Sequence, residues 1–133
     1  MTISADYVRE LFRNLEIGKA DAFFARVSDQ VDWTVIGTHP LAGRYTSKKD
    51  FVKSTFERLN RVLKESIRLR VTDMHLCGEV AVVELEALSQ ALNGKPFHNR
   101  YCWVVFFSDD KIVKVRAYLD SALVQKLIDE NEK

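Results

Sequence analysis

Residues 99–120, NRYCWVVFFSDDKIVKVRAYLD, decide how this chain folds. Trp103 to Phe107 form an unbroken apolar run, and beyond the polar Ser108-Asp109-Asp110 the residues alternate between apolar and charged or polar. Runs of this length and period predict two neighbouring strands joined by a tight turn. Successive strand residues face opposite ways, so the length of the turn sets which side chains share a face. A two-residue turn at Asp109-Asp110 pairs Trp103 with Arg116, Tyr101 with Tyr118 and Asn99 with Asp120, gathering groups that bind or move protons. A three-residue turn sends Arg116, Tyr118 and Asp120 to the far side and brings Val115, Ala117 and Leu119 beside Trp103. The apolar alternation slightly favours the second packing, and the sequence leaves both open.

Just upstream, Asn93-Gly94 is the strongest turn signal in the chain. Asn-Gly suits a two-residue type I′ hairpin, whose two central residues both take positive φ. That register pairs Leu92 with Lys95, Leu88 with Asn99, Glu86 with Tyr101 and Glu84 with Trp103. Two carboxylates then share a face with a tyrosine, a tryptophan and an amide. The partner strand is AVVELEALSQAL, and Cys77-Gly78-Glu79 separates it from an earlier run in which Ile67, Leu69 and Val71 alternate with Arg68, Arg70 and Thr72.

The N-terminal half is helical by its spacing. Val8, Leu11, Phe12 and Leu15 form one apolar stripe, Ser4 is placed to cap it, Asp6 suits the first turn, and Gly18 ends it. Asp21 to Val27 predicts a second short helix and Val31 to Ile36 a short strand containing Trp33 and Val35. GTHPLAGRYTS, which carries His39, reads as loop. A third helix is expected from Ser47 to Leu63, with Ser47 and Asp50 as a capping-box variant and Val52, Phe56, Leu59 and Leu63 facing the core. Its Lys48, Lys49, Lys53, Arg58, Arg61 and Lys64 read as a solvated face, since Asp50 and Glu57 interrupt them and no aromatic is interleaved for base stacking. After Asp120-Ser121, a closing helix carries Leu123, Val124, Leu127 and Ile128 and ends in a charged tail expected to fray.

Composition bounds the rest. At 133 residues the chain is one domain in size, nearly half apolar, with 20 basic against 19 acidic residues. A disordered chain and a general nucleic-acid binder are both disfavoured. Cys77 and Cys102 lie far apart in apolar runs and read as buried free thiols, which fits a reducing compartment. The first residues lack the basic and apolar run of a signal peptide, and no stretch is long enough to span a membrane, so a cytoplasmic protein without membrane partners is expected. GxGxxG, P-loop, HExxH and CxxC motifs are absent, His39, His75 and His98 lack metal-ligand spacing, and the serines lack a nucleophile elbow. The element order, helices and then four long antiparallel strands, gives an α+β domain whose curved sheet wraps a long helix around a cavity.

WTVIGTHPLAGRY and NGKPFHNRYCWVVFFSDDKIVKVRAYLD resemble the nuclear transport factor 2-like superfamily, and within it the SnoaL-like, ketosteroid-isomerase-related proteins. The resemblance covers nearly the whole chain and is most specific in the last two strands. It implies an α+β cone with a deep apolar pocket for a small organic ligand, a homodimer, and no obligatory metal or organic cofactor. Such proteins include isomerases, cyclases, epoxide hydrolases and dehydratases, together with proteins that only bind. The ketosteroid isomerase set of an Asp base, a Tyr and a protonated Asp is not carried over: Leu11, Thr34 and Trp103 stand at those positions. The polyketide-cyclase branch places an acid/base Asp where Asp120 stands here.

Asp120, Glu84, His39 and Arg116 are thus the candidate catalytic residues, with Trp33, Val35, Glu86, Asn99, Tyr101, Trp103 and Tyr118 as pocket residues and no metal ligand. Each has a structural alternative: Asp120 as a helix cap, Arg116 in an ion pair with Glu84 or Glu86, His39 as a polar loop residue, and the glutamates as surface charges. Three functions follow: acid/base catalysis on an apolar carbonyl or polyketide-like compound, a binding module for an apolar ligand, and a dimeric accessory protein that uses the exposed sheet face.

Overall fold

The computed structural model describes residues 3–133. Helix α1, Ala5–Glu16, begins where Ser4 accepts the Tyr7 amide at 3.1 Å and stops before Gly18, whose φ is +79°. Val8, Leu11, Phe12 and Leu15 are buried, as their spacing requires. Helix α2, Ala20–Phe24, buries Phe23 and Phe24. Strand β1, Val27–Val35, begins four residues earlier than expected, and β2, Gly43–Tyr45, forms inside the expected loop by pairing with β1.

The third helix is broken. α3, Lys48–Ser54, and α4, Phe56–Asn60, meet at Thr55. The Thr55 hydroxyl donates to the Phe51 carbonyl at 2.7 Å, a bond to residue i−4 of the kind that bends helices. Phe51 faces the core and Val52 is half-buried, not central as its spacing suggested. The basic face is also less solvated than expected. Lys48 donates to the Phe24 and Val27 carbonyls, and Arg58 makes a two-point pair with Glu132 at 2.8 and 2.9 Å, tying down the C-terminal tail.

Six strands form one sheet in the order β2-β1-β8-β7-β4-β3, where β3 is Leu69–Cys77, β4 Val80–Ala87, β7 Arg100–Ser108 and β8 Lys111–Leu119. β1 runs parallel to β8, and the other ladders are antiparallel. The short β5, Ser89–Gln90, and β6, Pro96–Phe97, pair apart from it. The architecture is α+β, with the helices against one face of a curved, open sheet. Helix α5, Ser121–Asn131, closes the chain; it buries Val124, Leu127 and Ile128 but leaves Leu123 exposed.

Two one-residue irregularities decide which way the strands face. Leu92-Asn93-Gly94 form a three-residue loop, with the Ala91 amide on the Lys95 carbonyl and the Gly94 amide on the Ala91 carbonyl. Gly94 takes positive φ and Asn93 does not, so the expected two-residue turn is not the one formed. Val83 therefore faces Trp103, Glu84 faces Cys102, Leu85 faces Tyr101 and Glu86 faces Arg100. This corrects the expected register by one residue. In the second hairpin Asp109 and Asp110 do form a two-residue turn, both at positive φ, with Ser108 opposite Lys111. The ladder then slips between Phe106 and Phe107: Phe107 faces Ile112, but Phe106 faces Lys114, leaving Val113 as an extra residue in a β-bulge. Beyond it Trp103 faces Ala117 and Tyr101 faces Leu119. The turn is the two-residue alternative, while the facing is that of the three-residue one.

Candidate binding site

The core is aromatic where the sheet meets α3 and α4. The Trp33 ring stacks on Phe51 at 3.9 Å between centroids and meets Trp103 edge-on at 5.2 Å. Beside them an apolar chamber of about 40 Å3 remains. Trp33 and Val35 line it from β1, Tyr101 and Trp103 from β7, and Ala117 and Leu119 from β8. Ala117 lies between Val35 and Trp103 across the sheet, where a larger residue would take up the space. His39 and Leu41, then Phe51, Thr55, Phe56 and Leu59, and Val124 close the other side. A larger surface groove of about 440 Å3 lies between α1 and β3, but Arg9, Glu10, Arg13 and Glu16 make it a charged crevice holding none of the candidate residues.

Three polar side chains at the chamber matter chemically. Tyr101 is buried and its hydroxyl has no hydrogen-bond partner of good geometry. Burial pushes the phenol well above its ordinary value, and the Asn99 side chain beside it offsets only part of that. Trp33 Nε1 is likewise buried without a partner among the described residues. His39 is buried, with its Nδ1 accepting the Leu41 amide at 3.1 Å, so the ring proton belongs on Nε2, 3.3 Å from the Ile36 carbonyl. Desolvation lowers its pKa, and the bond to Ile36 opposes this in part. Gly37 makes this loop possible: at φ +135°, an added Cβ would lie 2.4 Å from Ser121 Oγ and 2.8 Å from His39 Cδ2.

Asn99 is fully buried but structural, with Nδ2 donating to the Asp120 carbonyl and Oδ1 accepting the Arg100 amide. The charged candidates lie elsewhere. Asp120 is exposed and caps α5, its Oδ1 accepting the Ala122 and Leu123 amides at 3.0 and 3.4 Å. Glu84 and Glu86 stand on the outer face, Glu84 beside His75 at 3.3 Å and Glu86 beside Arg70 at 3.2 Å. Arg116 pairs with neither. It lies over the Phe106 ring, 5.1 Å from the centroid, on the same outer face. Tyr118 is 41% exposed. The chamber thus brings together Trp33, Val35, His39, Tyr101 and Trp103 and leaves out Asp120, Glu84, Glu86, Arg116 and Tyr118.

Sequence reasoning missed Phe51, Thr55 and Leu59 as lining residues, although their i, i+4, i+8 spacing marks one helix stripe. Leu41 and Val124 carry no comparable signal, because a loop and a distant helix bring them in. The thiols also depart from expectation: both cysteines are free, but Cys77 is exposed beside Gly78 and Cys102 half-buried on the outer face.

A profile of the SnoaL-like domain matches residues 8–115. The chain belongs to the SnoaL-like domain family, within the nuclear transport factor 2-like superfamily. This SnoaL-like chain is 27% identical, over 134 residues and 98% of its length, to the dimerizing cyclase phiC of Fungal sp. (strain ATCC 74256), and it spans 59% of that relative. Its fold is similar to that of an NTF2-like protein from Burkholderia thailandensis, at a TM-score of 0.78 and 22% identity over 92% of this chain and 95% of the other. It is also similar to TerC co-crystallized with polyporic acid, at a TM-score of 0.73 and 16% identity over 93% and 96%. Among the described residues, no helix is long and apolar enough to cross a membrane.

Proposed function

We propose that this SnoaL-like chain binds a compact apolar compound of the carbonyl or polyketide type and polarises one of its oxygens with Tyr101 Oη and Trp33 Nε1. The observation that carries this reading is the pair of buried donors, Tyr101 Oη and Trp33 Nε1, left without a well-placed partner among the described residues, on side chains that line an otherwise apolar chamber. A buried donor left unsatisfied costs about 1–3 kcal/mol, so an oxygen acceptor there is favoured while apolar walls take the remaining surface. Donors aimed at an oxygen stabilise negative charge that develops on it. No carboxylate lines the chamber, so the chemistry supported is electrophilic activation of an oxygen, not proton abstraction by an acid residue. His39 acts as a base only by releasing the Leu41 amide. The cyclase name of phiC and the co-crystallization of TerC with polyporic acid support an isomerase- or cyclase-like role on such a compound.

At about 40 Å3 the chamber holds a water or two, far less than the roughly 300–1,000 Å3 of a site for a drug-sized ligand. Ligand entry therefore requires α3 and α4 to move from the sheet, and the break at Thr55 is the natural hinge. A homodimer is also proposed, with the apolar outer strip of Val104, Phe106 and Tyr118 covered by a second copy; sedimentation of a monomer at high concentration removes that part.

Native mass spectrometry of the purified chain for retained ligand, followed by titration with apolar ketones and quinones, tests the pocket. Tyr101→Phe and Trp33→Phe are each expected to weaken binding by about tenfold, the worth of one buried hydrogen bond. Asp120→Ala should lower stability by about 1 kcal/mol through the lost cap while leaving affinity unchanged. Wild-type affinity in both Tyr101→Phe and Trp33→Phe would remove the proposed oxygen site.

A further inference from the structure

The outer face of the sheet carries a second cluster, unrelated to the chamber. β3 slips in register between Val71 and Asp73, leaving Thr72 as the extra residue, and this places Asp73 directly opposite Glu84 on β4. Two carboxylates directly opposed across strands repel each other. Among the described residues neither has a lysine or arginine within salt-bridge distance, whereas the neighbouring Glu86 is answered by Arg70 at 3.2 Å. The group between them is His75, two residues along β3 on the same face. Its Nε2 lies 3.5 Å from Asp73 Oδ2 and 3.3 Å from Glu84 Oε2.

These distances have a simple meaning for coordination. Ligand atoms about 2.1 Å from a tetrahedral ion stand about 3.4 Å from one another. All three ligand atoms here lie within 4.8 Å of each other. Asp73 is oriented by a bond from the Met74 amide to its Oδ1 at 2.8 Å, which leaves Oδ2 turned toward His75, the kind of outer support that metal-ligating carboxylates use. The histidine compensates the pair of negative charges only when it carries a second proton, whereas a divalent cation compensates both carboxylates at once.

We propose that Asp73 Oδ2, His75 Nε2 and Glu84 Oε2 form a binding site for one first-row divalent cation of the zinc class, with the remaining coordination position open to water. An imidazole nitrogen with two carboxylates suits zinc or cobalt better than calcium or magnesium, which take oxygen ligands in larger number. The three side chains are 47–62% exposed, so the ion enters from solvent without opening the fold. The linear sequence hides the set because its members stand on two strands and meet through a bulge.

The test uses the full chain, stripped with chelator and titrated with zinc chloride by calorimetry in a non-coordinating buffer. One zinc per chain is expected. His75→Ala, Asp73→Asn and Glu84→Gln should each weaken binding by at least about tenfold, while Asp109→Asn leaves it unchanged. As a readout that needs no variant, zinc should shift the His75 ring protons in the NMR spectrum of the wild type and leave those of His98 in place. Absence of saturable binding, unchanged affinity in His75→Ala, or loss of binding in Cys77→Ser in place of His75→Ala would overturn the site.

Discussion

Tyr101, Trp103 and Val105 of β7 point into the core, while Cys102, Val104 and Phe106, their immediate neighbours in the chain, stand on the outer face. The inner set meets Leu85, Val83 and Ala81 on one side and Leu119, Ala117 and Val115 on the other. The outer set meets Glu84, Val82 and Val80, and across β8 Tyr118, Arg116 and Lys114. One face is an aromatic core with a small apolar chamber and, among the described residues, two donors without a well-placed partner beside it, and the other is a mixed apolar and charged surface. Both are cut from the same strands, so parity, not composition, separates them. Parity depends on two short irregularities, the Leu92-Asn93-Gly94 loop and the bulge at Val113.

The contrast is broken most severely by Ala117→Arg. Ala117 is buried between Val35 and Trp103, so the substitution puts a charge into the core at the position next to Arg116, which keeps its charge on the outer face. Loss of a cooperative unfolding transition in denaturant is expected; a native-like transition would show that position 117 does not face the core. Trp103→Ala comes next. It should cost about 3–5 kcal/mol, as large-to-small changes in packed cores do, whereas Arg116→Ala, one position across on the opposite face, should stay within about 0.5 kcal/mol. Comparable losses in the two variants would mean that the faces are not as distinct as they stand here. The smallest effect concerns His39. Burial lowers its pKa below 6.5, so its neutral form belongs to the folded state and the unfolded chain binds the proton more readily. The stability tied to this group is fully present above about pH 6.5 and is lost as pH falls toward the depressed folded value. His39→Gln should flatten the fall of stability with acid in that window, measured by denaturant titration at several pH values.

Much of the fold was legible because its signals are local. Ser4 and Ser47 cap helices where a cap was expected, the stripe of α1 is buried, and the last two strands form around Asp109-Asp110. Helix α3–α4 was misread because Phe51 and Val52 are both apolar and each continues a stripe at helical spacing, so periodicity alone does not choose between them, and the break at Thr55 is not a periodic signal. Of the site, Trp33, Val35, His39, Tyr101 and Trp103 were named and do meet at the chamber. Glu84 and Glu86 were named on a register that the Leu92-Asn93-Gly94 loop shifts by one residue, Arg116 on one of two facings, of which the bulge at Val113 selects the other, and Asp120 from the family resemblance.

The sequence by itself determined the order of the main helices and long strands, where the two hairpins turn, and that an α+β sheet packs against helices, since propensity, capping and apolar periodicity act over a few residues. The tertiary structure alone decided which face each strand shows. It chose the helix cap from the two roles open to Asp120, set Glu84 beside His75 and Asp73, and, among the described residues, left Tyr101 Oη and Trp33 Nε1 without a well-placed partner in the core. The physical reason lies in the period of two: a single looped or bulged residue reverses every side chain beyond it, and whether the chain takes that residue is settled by how well both faces pack at once.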